Sequence, residues 1–266
     1  MMDMRAFLPD EQEEPLDRIP ANGGYTGIFR TIACVGDSLS SGEFESLDEQ
    51  GNKGYHDMFE YSWGQYIARE AGCKVYNFSR GGMTAKEYME SYADRKGYWN
   101  EDWAAQAYIM ALGVNDLWGQ KQPVGSVADI CAEDWHKNAP TFTGYFAQII
   151  QRYKTIQPKA KFFLVTMPRS DNPECEKNAE AQTAAMHALA DYFDYTYVID
   201  LHRYAPVYDS EFAKKFYLGG HLNPMGYMLT ARMTMAYIDY IIRHNMEDFA
   251  QVPFIGQPFH NVGAKW

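Results

Sequence analysis

Short runs of β-type apolar residues alternate along the chain with longer stretches whose apolar positions recur at helical spacing. The apolar runs lie at 31–36, 73–78, 107–112, 161–167 and 195–201. Each is short and poorly alternating, as strands buried on both faces are. Between them, Trp63, Ile67 and Ala71 share one helical face, as do Phe142, Phe146, Ile149, Ile150 and Tyr153. Met186, Leu189 and Phe193 form a third stripe, and Leu229, Met233, Ala236, Tyr237, Tyr240 and Ile241 a fourth.

Start signals agree with these stripes. Ser62 to Gln65 and Thr84 to Glu87 read as capping boxes, the second opening a helix to about Asp94. Asn172-Pro173 and Asn223-Pro224 each pair a cap with a proline at the first helical position. Residues 41–60 and 117–140 show no sustained period. They predict long loop excursions, the first rich in rings and the second with a short helix near 126–137. Residues 95–105 are not assigned an element. Strands alternating with helices, without repeats or a linker, predict a single doubly wound α/β domain with a five-stranded, mostly parallel sheet between helix layers.

That reading divides the chain into an N-terminal arm or peripheral strand (1–30), one catalytic-sized domain (31–245) and a tail (246–266). Asp10, Glu11, Glu13 and Glu14 mark a solvated run without assigned function. The tail holds Pro253, Phe254, Ile255, Pro258, Phe259 and Trp266, too apolar to be free. It is expected to pack on the body or on a neighbouring subunit, so an oligomer is one outcome.

Composition narrows the partners. At 266 residues and 46% hydrophobic, the chain can bury a full core. A formal net charge of −11 argues against nucleic acid and against an anionic membrane. No run reaches the length of a bilayer span, and no apolar signal segment opens the chain, so a cytoplasmic protein is expected. Cys34, Cys73, Cys131 and Cys175 show no C-x-x-C spacing, and no metalloprotease, P-loop or G-x-S-x-G motif is present. No metal and no cofactor are expected.

The chemistry gathers at strand ends. The first strand runs into Gly36-Asp37-Ser38, placing a hydroxyl where open α/β sheets bind ligands. The second ends in Arg80-Gly81-Gly82-Met83-Thr84, the third in Gly113-Val114-Asn115-Asp116. Near the C-terminus stands Gly220-His221-Leu222-Asn223-Pro224. The order Gly-Asp-Ser, Gly, Gly-x-Asn-Asp, His resembles the SGNH (GDSL-type) hydrolases over roughly residues 31–244. The resemblance implies a flavodoxin-like three-layer α/β/α sandwich and an esterase or lipase-like acylhydrolase.

In that scheme Ser38 is the nucleophile and His221 the general base, then acid. The Ser38 and Gly82 backbone N–H groups and the Asn115 amide converge on the oxyanion. Gly82 is preferred to Gly81 by its offset from Asn77. Asp37 and Asp116 are expected to accept backbone N–H bonds and hold their turns. His56 could line a pocket; the remaining histidines are assigned no role.

One position departs from the family. Where an aspartate three residues before the histidine is usual, this chain has Leu218, which cannot accept from an imidazole. Two arrangements follow: a Ser-His dyad with a backbone carbonyl near Leu218 or Gly219 holding the ring, or a displaced acid, with Asp200 the leading candidate and Asp209 and Glu43 next. Tyr55, Trp63, Trp99, Trp103, Trp118 and Trp135 cluster near the predicted loops and suit sugar rings and acyl chains alike. The expected substrate is a small-molecule or carbohydrate ester with a short acyl group such as acetyl. The rivals are an acyltransferase using the same serine and a non-catalytic binding module on the same fold.

Overall fold

The computed structural model describes Met4 and residues 7–263. The first half of the chain runs β1 (Thr31–Gly36), a helical turn α1 (Ser38–Ser41), β2 (Glu43–Leu47), β3 (Lys53–Asp57), α2 (Trp63–Ala71), β4 (Lys74–Asn77), and α3 (Ala85–Glu87), which continues through a π turn into α4 (Ala93–Lys96). Next come β5 (Ala107–Ala111), a π turn at Asn115–Gly119, α5 (Phe142–Ile156), β6 (Lys161–Val165), α6 (Pro173–Tyr192) and β7 (Thr196–Ile199). Then follow α7 (Leu201–Tyr204), α8 (Ser210–Phe216), the two-residue strands β8 (Tyr217–Leu218) and β9 (His221–Leu222), α9 (Pro224–His244) and α10 (Met246–Phe249).

The five long-range strands form one parallel sheet in the order β4-β1-β5-β6-β7. The chain builds outward from β1 to β4, then crosses back to β5 and continues the other way. Between β1 and β5 the winding reverses, so the connections diverge and leave a crevice beyond the carboxyl ends. Gly36 pairs with Ala111 in register, so both strands end level at that crevice.

Strand alternation feeds two cores. Ala33, Val35, Tyr108, Met110, Phe162 and Leu164 face a layer built from α3 to α6. Ile32, Cys34, Ile109 and Phe163 face α2 and α9. Both faces are covered, which is why the strands read as continuous apolar runs and not as alternating ones. This is the expected three-layer α/β/α sandwich.

The predicted caps form: Ser62 Oγ accepts from Gln65 N–H, Thr84 Oγ1 from Glu87 N–H, Asn172 Oδ1 from Glu174 N–H and Asn223 Oδ1 from Gly226 N–H. Strand ends are shorter than the apolar runs suggest. β7 stops at Ile199 because Asp200 caps α7, its side chain accepting from Arg203 N–H.

Three expectations are corrected. Residues 41–60 are not an irregular loop: β2 and β3 pair as an antiparallel hairpin. Only Phe44 of β2 turns into the core; Glu43, Glu45 and Ser46 are polar and Leu47 is exposed, so no apolar alternation announces the strand. Residues 126–137 form two 3₁₀ turns, Val127–Asp129 and Trp135–Lys137, in place of a helix. The acidic run near the N-terminus is not simply solvated. Glu13 pairs at 2.6 Å with Arg243, a guanidinium that is 1% exposed and also reaches Asp239 at 2.9 Å.

Residues 21–28 take a 3₁₀ path along α9, with Tyr25 N–H donating to Asp239 Oδ1 (2.7 Å). At the other end of the chain, Phe249, Val252 and Ile255 are buried, and Gln106 Nε2 donates to the Val252 carbonyl. Trp266 lies outside the described residues. Among the described residues, no helix is long and apolar enough to cross a membrane.

Candidate active site

Ser38 follows β1 directly and opens α1. Asp37 caps that turn, its Oδ1 accepting from Leu39 N–H at 3.1 Å. Gly42, at φ +83°, then throws the chain into β2. Burial pushes the Asp37 carboxyl up to about 6, against the lowering effect of the Leu39 N–H.

Asn115 lies beyond β5, on the other side of the winding reversal. Its Nδ2 donates to the Met83 carbonyl at 3.2 Å and, more weakly, to Asp37 Oδ2 at 3.4 Å. Asp116 Oδ1 accepts from Ala85 N–H at 2.8 Å, fastening the β5 turn to the start of α3. The two acids thus hold the turns, as the sequence suggests. The Arg80–Met83 turn is tied to β1 through Arg80 N–H donating to the Gly36 carbonyl, and Gly82 adopts φ +71°, a left-handed conformation that costs a glycine little.

His221 comes from the opposite wall, on β9. Its Nδ1 lies 3.0 Å from Glu45 Oε1 and its Nε2 lies 3.1 Å from Glu43 Oε1. Both acids belong to β2. Residues two apart in a strand share a face, so Glu43 and Glu45 face the ring while Phe44 packs behind. The Tyr227 hydroxyl donates to the Glu43 carbonyl at 2.7 Å and locks the strand's position.

The two carboxylates differ electrostatically. Glu45 receives Lys53 Nζ at 2.9 Å and Gly220 N–H at 2.6 Å. The Lys53 hydrogen bond above all, with help from Gly220 and His221, holds Glu45 down to about 2. Glu43 is pushed the other way by burial, with the neighbouring Asp57 and Glu45 adding to the rise. Glu45 therefore stays an anion that accepts Nδ1–H, whereas the raised Glu43 carboxyl stands against Nε2.

Ser38, Asn115 and His221 line one cleft, together with Trp118 and Met167. Among the described residues, no hydrogen bond joins the Ser38 hydroxyl to the ring, whose Nε2 is taken by Glu43. Gly82 does not line this cleft. It borders an adjoining polar hollow with Thr84, Lys86 and Gln120.

Of the three expected orienting acids, Glu43 does meet the His221 ring, at Nε2, and the other two are corrected. Asp200 lies 2.9 Å from His187 Nε2 and is spent on that pair and on its cap. Asp209 caps α8 through Phe212 N–H. Neither bonds to His221. No carbonyl of Leu218 or Gly219 holds the ring either: Leu218 is half exposed and pairs with His221 across the β8–β9 hairpin. The residue that does hold it, Glu45, was not singled out by sequence. Its signal was the Glu43-Phe44-Glu45 alternation soon after Ser38, which reads as a loop unless the hairpin is recognised.

Of the aromatic residues, Trp118 is exposed in the cleft, and the Tyr55 and His221 rings meet edge to face with their centroids 6.0 Å apart. Trp63 is buried beneath the site, while Trp99 and Trp135 flank Arg152 on the far layer. His56 bonds Ser46 across the hairpin, at 2.8 Å.

A doubly wound sheet with this end-of-strand arrangement defines the SGNH-type carboxylic ester hydrolases. The chain belongs to the GDSL-like lipase/acylhydrolase family, whose model matches residues 34–229. None of the curated proteins matches the sequence. Among solved structures, a family two carbohydrate esterase from Clostridium thermocellum, in complex with cellohexaose, superposes with a TM-score of 0.57 at 15% identity, covering 82% of this chain and 65% of that one. A protein from Lactobacillus plantarum gives 0.57 at 18% identity, over 79% of this chain and 97% of the other. A family 3 carbohydrate esterase from Clostridium thermocellum gives 0.51 at 17% identity, over 81% and 98%. At such identities the likeness is one of fold.

Proposed function

We propose that this chain hydrolyses carboxylic esters through an acyl-enzyme on Ser38, with His221 as the proton carrier and Glu45 as the orienting acid. The observation that carries the reading is that Ser38 and His221 line one cleft while Glu45 fixes the ring through Nδ1. With Nδ1–H committed to Glu45, the lone pair of Nε2 is the one that can accept a proton.

The Ser38 hydroxyl attacks the ester carbon, and its proton passes to Nε2. The carbonyl oxygen becomes an oxyanion held by the Ser38 and Gly82 N–H groups and by Asn115 Nδ2. Collapse expels the alkoxide, which takes the proton back from His221. Water then repeats the sequence on the acyl-enzyme and frees Ser38. Three adjustments are required: Glu43 must yield Nε2, the Asn115 amide must turn from the Met83 carbonyl, and the Gly82 turn must bring its N–H from the neighbouring hollow to the cleft. Catalytic hydrogen bonds commonly tighten only once substrate binds.

The alcohol side of the substrate is polar in this reading. The hollow beside Gly82 is lined by Thr84, Lys86, Gln120 and Gln122, and the buried Gln122 Oε1 has no partner. Side chains that both donate and accept line this hollow, and they suit the hydroxyls of a sugar ester. The carbohydrate esterases among the structural neighbours support the same reading.

The test is hydrolysis of p-nitrophenyl acetate and its longer homologues by wild type and Ser38→Ala, with mass spectrometry of the trapped enzyme. Loss of turnover and of the acyl adduct in the variant is expected. Equal rates in the two proteins would remove the serine mechanism.

A further inference from the structure

The cleft that holds Ser38 does not end at its floor. Asp37, Leu39, Val114, Met167, Pro168 and Tyr208 border both the cleft and a second cavity that runs inward from it. The inner wall of that cavity is made by Trp63, Ala111, Val165, Leu201 and Leu222. It lies at the carboxyl ends of β1, β5 and β6, under α9, and its volume is about 90 Å³.

Its one carboxyl, Asp37, stands at the rim shared with the cleft, and the polar groups deeper on its wall are already engaged. The Gln182 amide serves the Leu112 and Val165 carbonyls and accepts from Met167 N–H. Thr166 Oγ1 accepts from His202 N–H, and Thr230 Oγ1 donates to the Gly226 carbonyl. A water here would find few partners, and a buried water needs several. The cavity therefore suits hydrocarbon.

We infer that this cavity is the acyl-chain site, and that it selects aliphatic acyl groups of about four carbons beyond the carbonyl in preference to acetyl. The inference rests on acylation of Ser38. The size follows from scale: an apolar cavity of about 150 Å³ takes a six-carbon benzene ring, so about 90 Å³ takes roughly four carbons. An acyl group on the Ser38 oxygen starts at the shared rim and can reach inward past Leu39. An acetyl group would leave the cavity empty. A chain of eight carbons would overfill it.

The experiment is a chain-length profile of p-nitrophenyl esters from acetyl to octanoyl, with the acyl-enzyme followed by mass spectrometry. Each methylene moved from water into an apolar site is worth about fourfold. Wild-type kcat/KM should therefore rise at least about tenfold from acetyl to pentanoyl and fall by octanoyl. In Ala111→Leu, which adds bulk from the β5 wall, the pentanoyl-to-acetyl ratio should drop about fivefold or more. Thr230→Leu should lower the same ratio from the α9 wall. Because each readout is a ratio within one protein, general loss of activity cancels.

A flat or falling wild-type profile toward pentanoyl overturns the acyl site and leaves the serine mechanism standing. So does an unchanged ratio in both variants. Absence of any ester cleavage and of any adduct on Ser38 overturns both together.

Discussion

Glu45 Oε1 lies 3.0 Å from His221 Nδ1, so the β2–β3 hairpin supplies the orienting acid that position 218 lacks. In the proposed mechanism, a glutamate reaching across from another element would do the job of an aspartate on the histidine's own segment. It is better anchored than a surface acid, because Lys53 and Gly220 both donate to it. Loss of an orienting acid costs about 10⁴ in kcat in the serine proteases. Glu45→Gln should lower kcat by about 10²–10⁴ with little change in KM, measured by steady-state kinetics on a p-nitrophenyl ester. A kcat within twofold of wild type would mean that another group holds the ring.

Glu43 should act in the opposite sense. Its carboxyl is raised by burial and lies 3.1 Å from Nε2, where in its protonated form it would cover the lone pair that the proposed mechanism assigns to Ser38. Activity should thus rise with pH as Glu43 loses its proton. In Glu43→Ala that masking is gone, so the acid limb of the kcat/KM profile should move to lower pH. An unmoved limb would show that Glu43 does not gate the base.

The sequence made the sheet legible because strands covered on both faces have no option but apolar runs, and the caps at Ser62, Thr84, Asn172 and Asn223 marked where helices begin. Ser38 and Asn115 were singled out because motifs resembling the family's fall at predicted strand ends, and the structure sets both just beyond strands flanking the winding reversal. The β2–β3 hairpin was not legible. It buries only Phe44, while Glu43 and Glu45 turn to the His221 ring and Leu47 stays exposed. Glu45 was hidden with it. Asp200 misled because the end of a strand in this fold is equally a good helix cap, and here capping and His187 claim it. Gly82 was placed by offset alone, and a backbone N–H leaves no side-chain pattern from which its direction can be read.

The N-terminal segment should be a stability element. Arg243 is 1% exposed and its charge is met by Glu13 and Asp239. Removing one partner of a buried ion pair leaves a charge without compensation, at a cost of about 3–5 kcal/mol. Glu13→Gln should therefore destabilise the fold by about 3 kcal/mol in urea unfolding. The pentanoyl-to-acetyl preference should not change, because Glu13 lies far from the cleft in the fold. Destabilisation below about 0.5 kcal/mol would mean that Asp239 alone satisfies the guanidinium.

Asp116 should set much of the pH dependence of stability. It is fully buried, Oδ1 accepts from Ala85 N–H, and Oδ2 has no partner. Burial raises its carboxyl to about 7, whereas an unfolded aspartate titrates near 3.9. A folded value above the unfolded one means that this contribution is complete below about pH 4 and is lost as pH climbs through about 7. The loss is bounded by about 4 kcal/mol, since each unit is worth about 1.4 kcal/mol. Asp37, raised in the same direction to about 6, adds to the slope. Asp116→Asn cannot ionise. It keeps an oxygen for Ala85 N–H but places an amide where Oδ2 found no partner, a cost of about 1–3 kcal/mol at every pH. The variant should melt below wild type at pH 5, and the gap should close or reverse by pH 8. Parallel melting curves across that range would show that Asp116 carries no such proton.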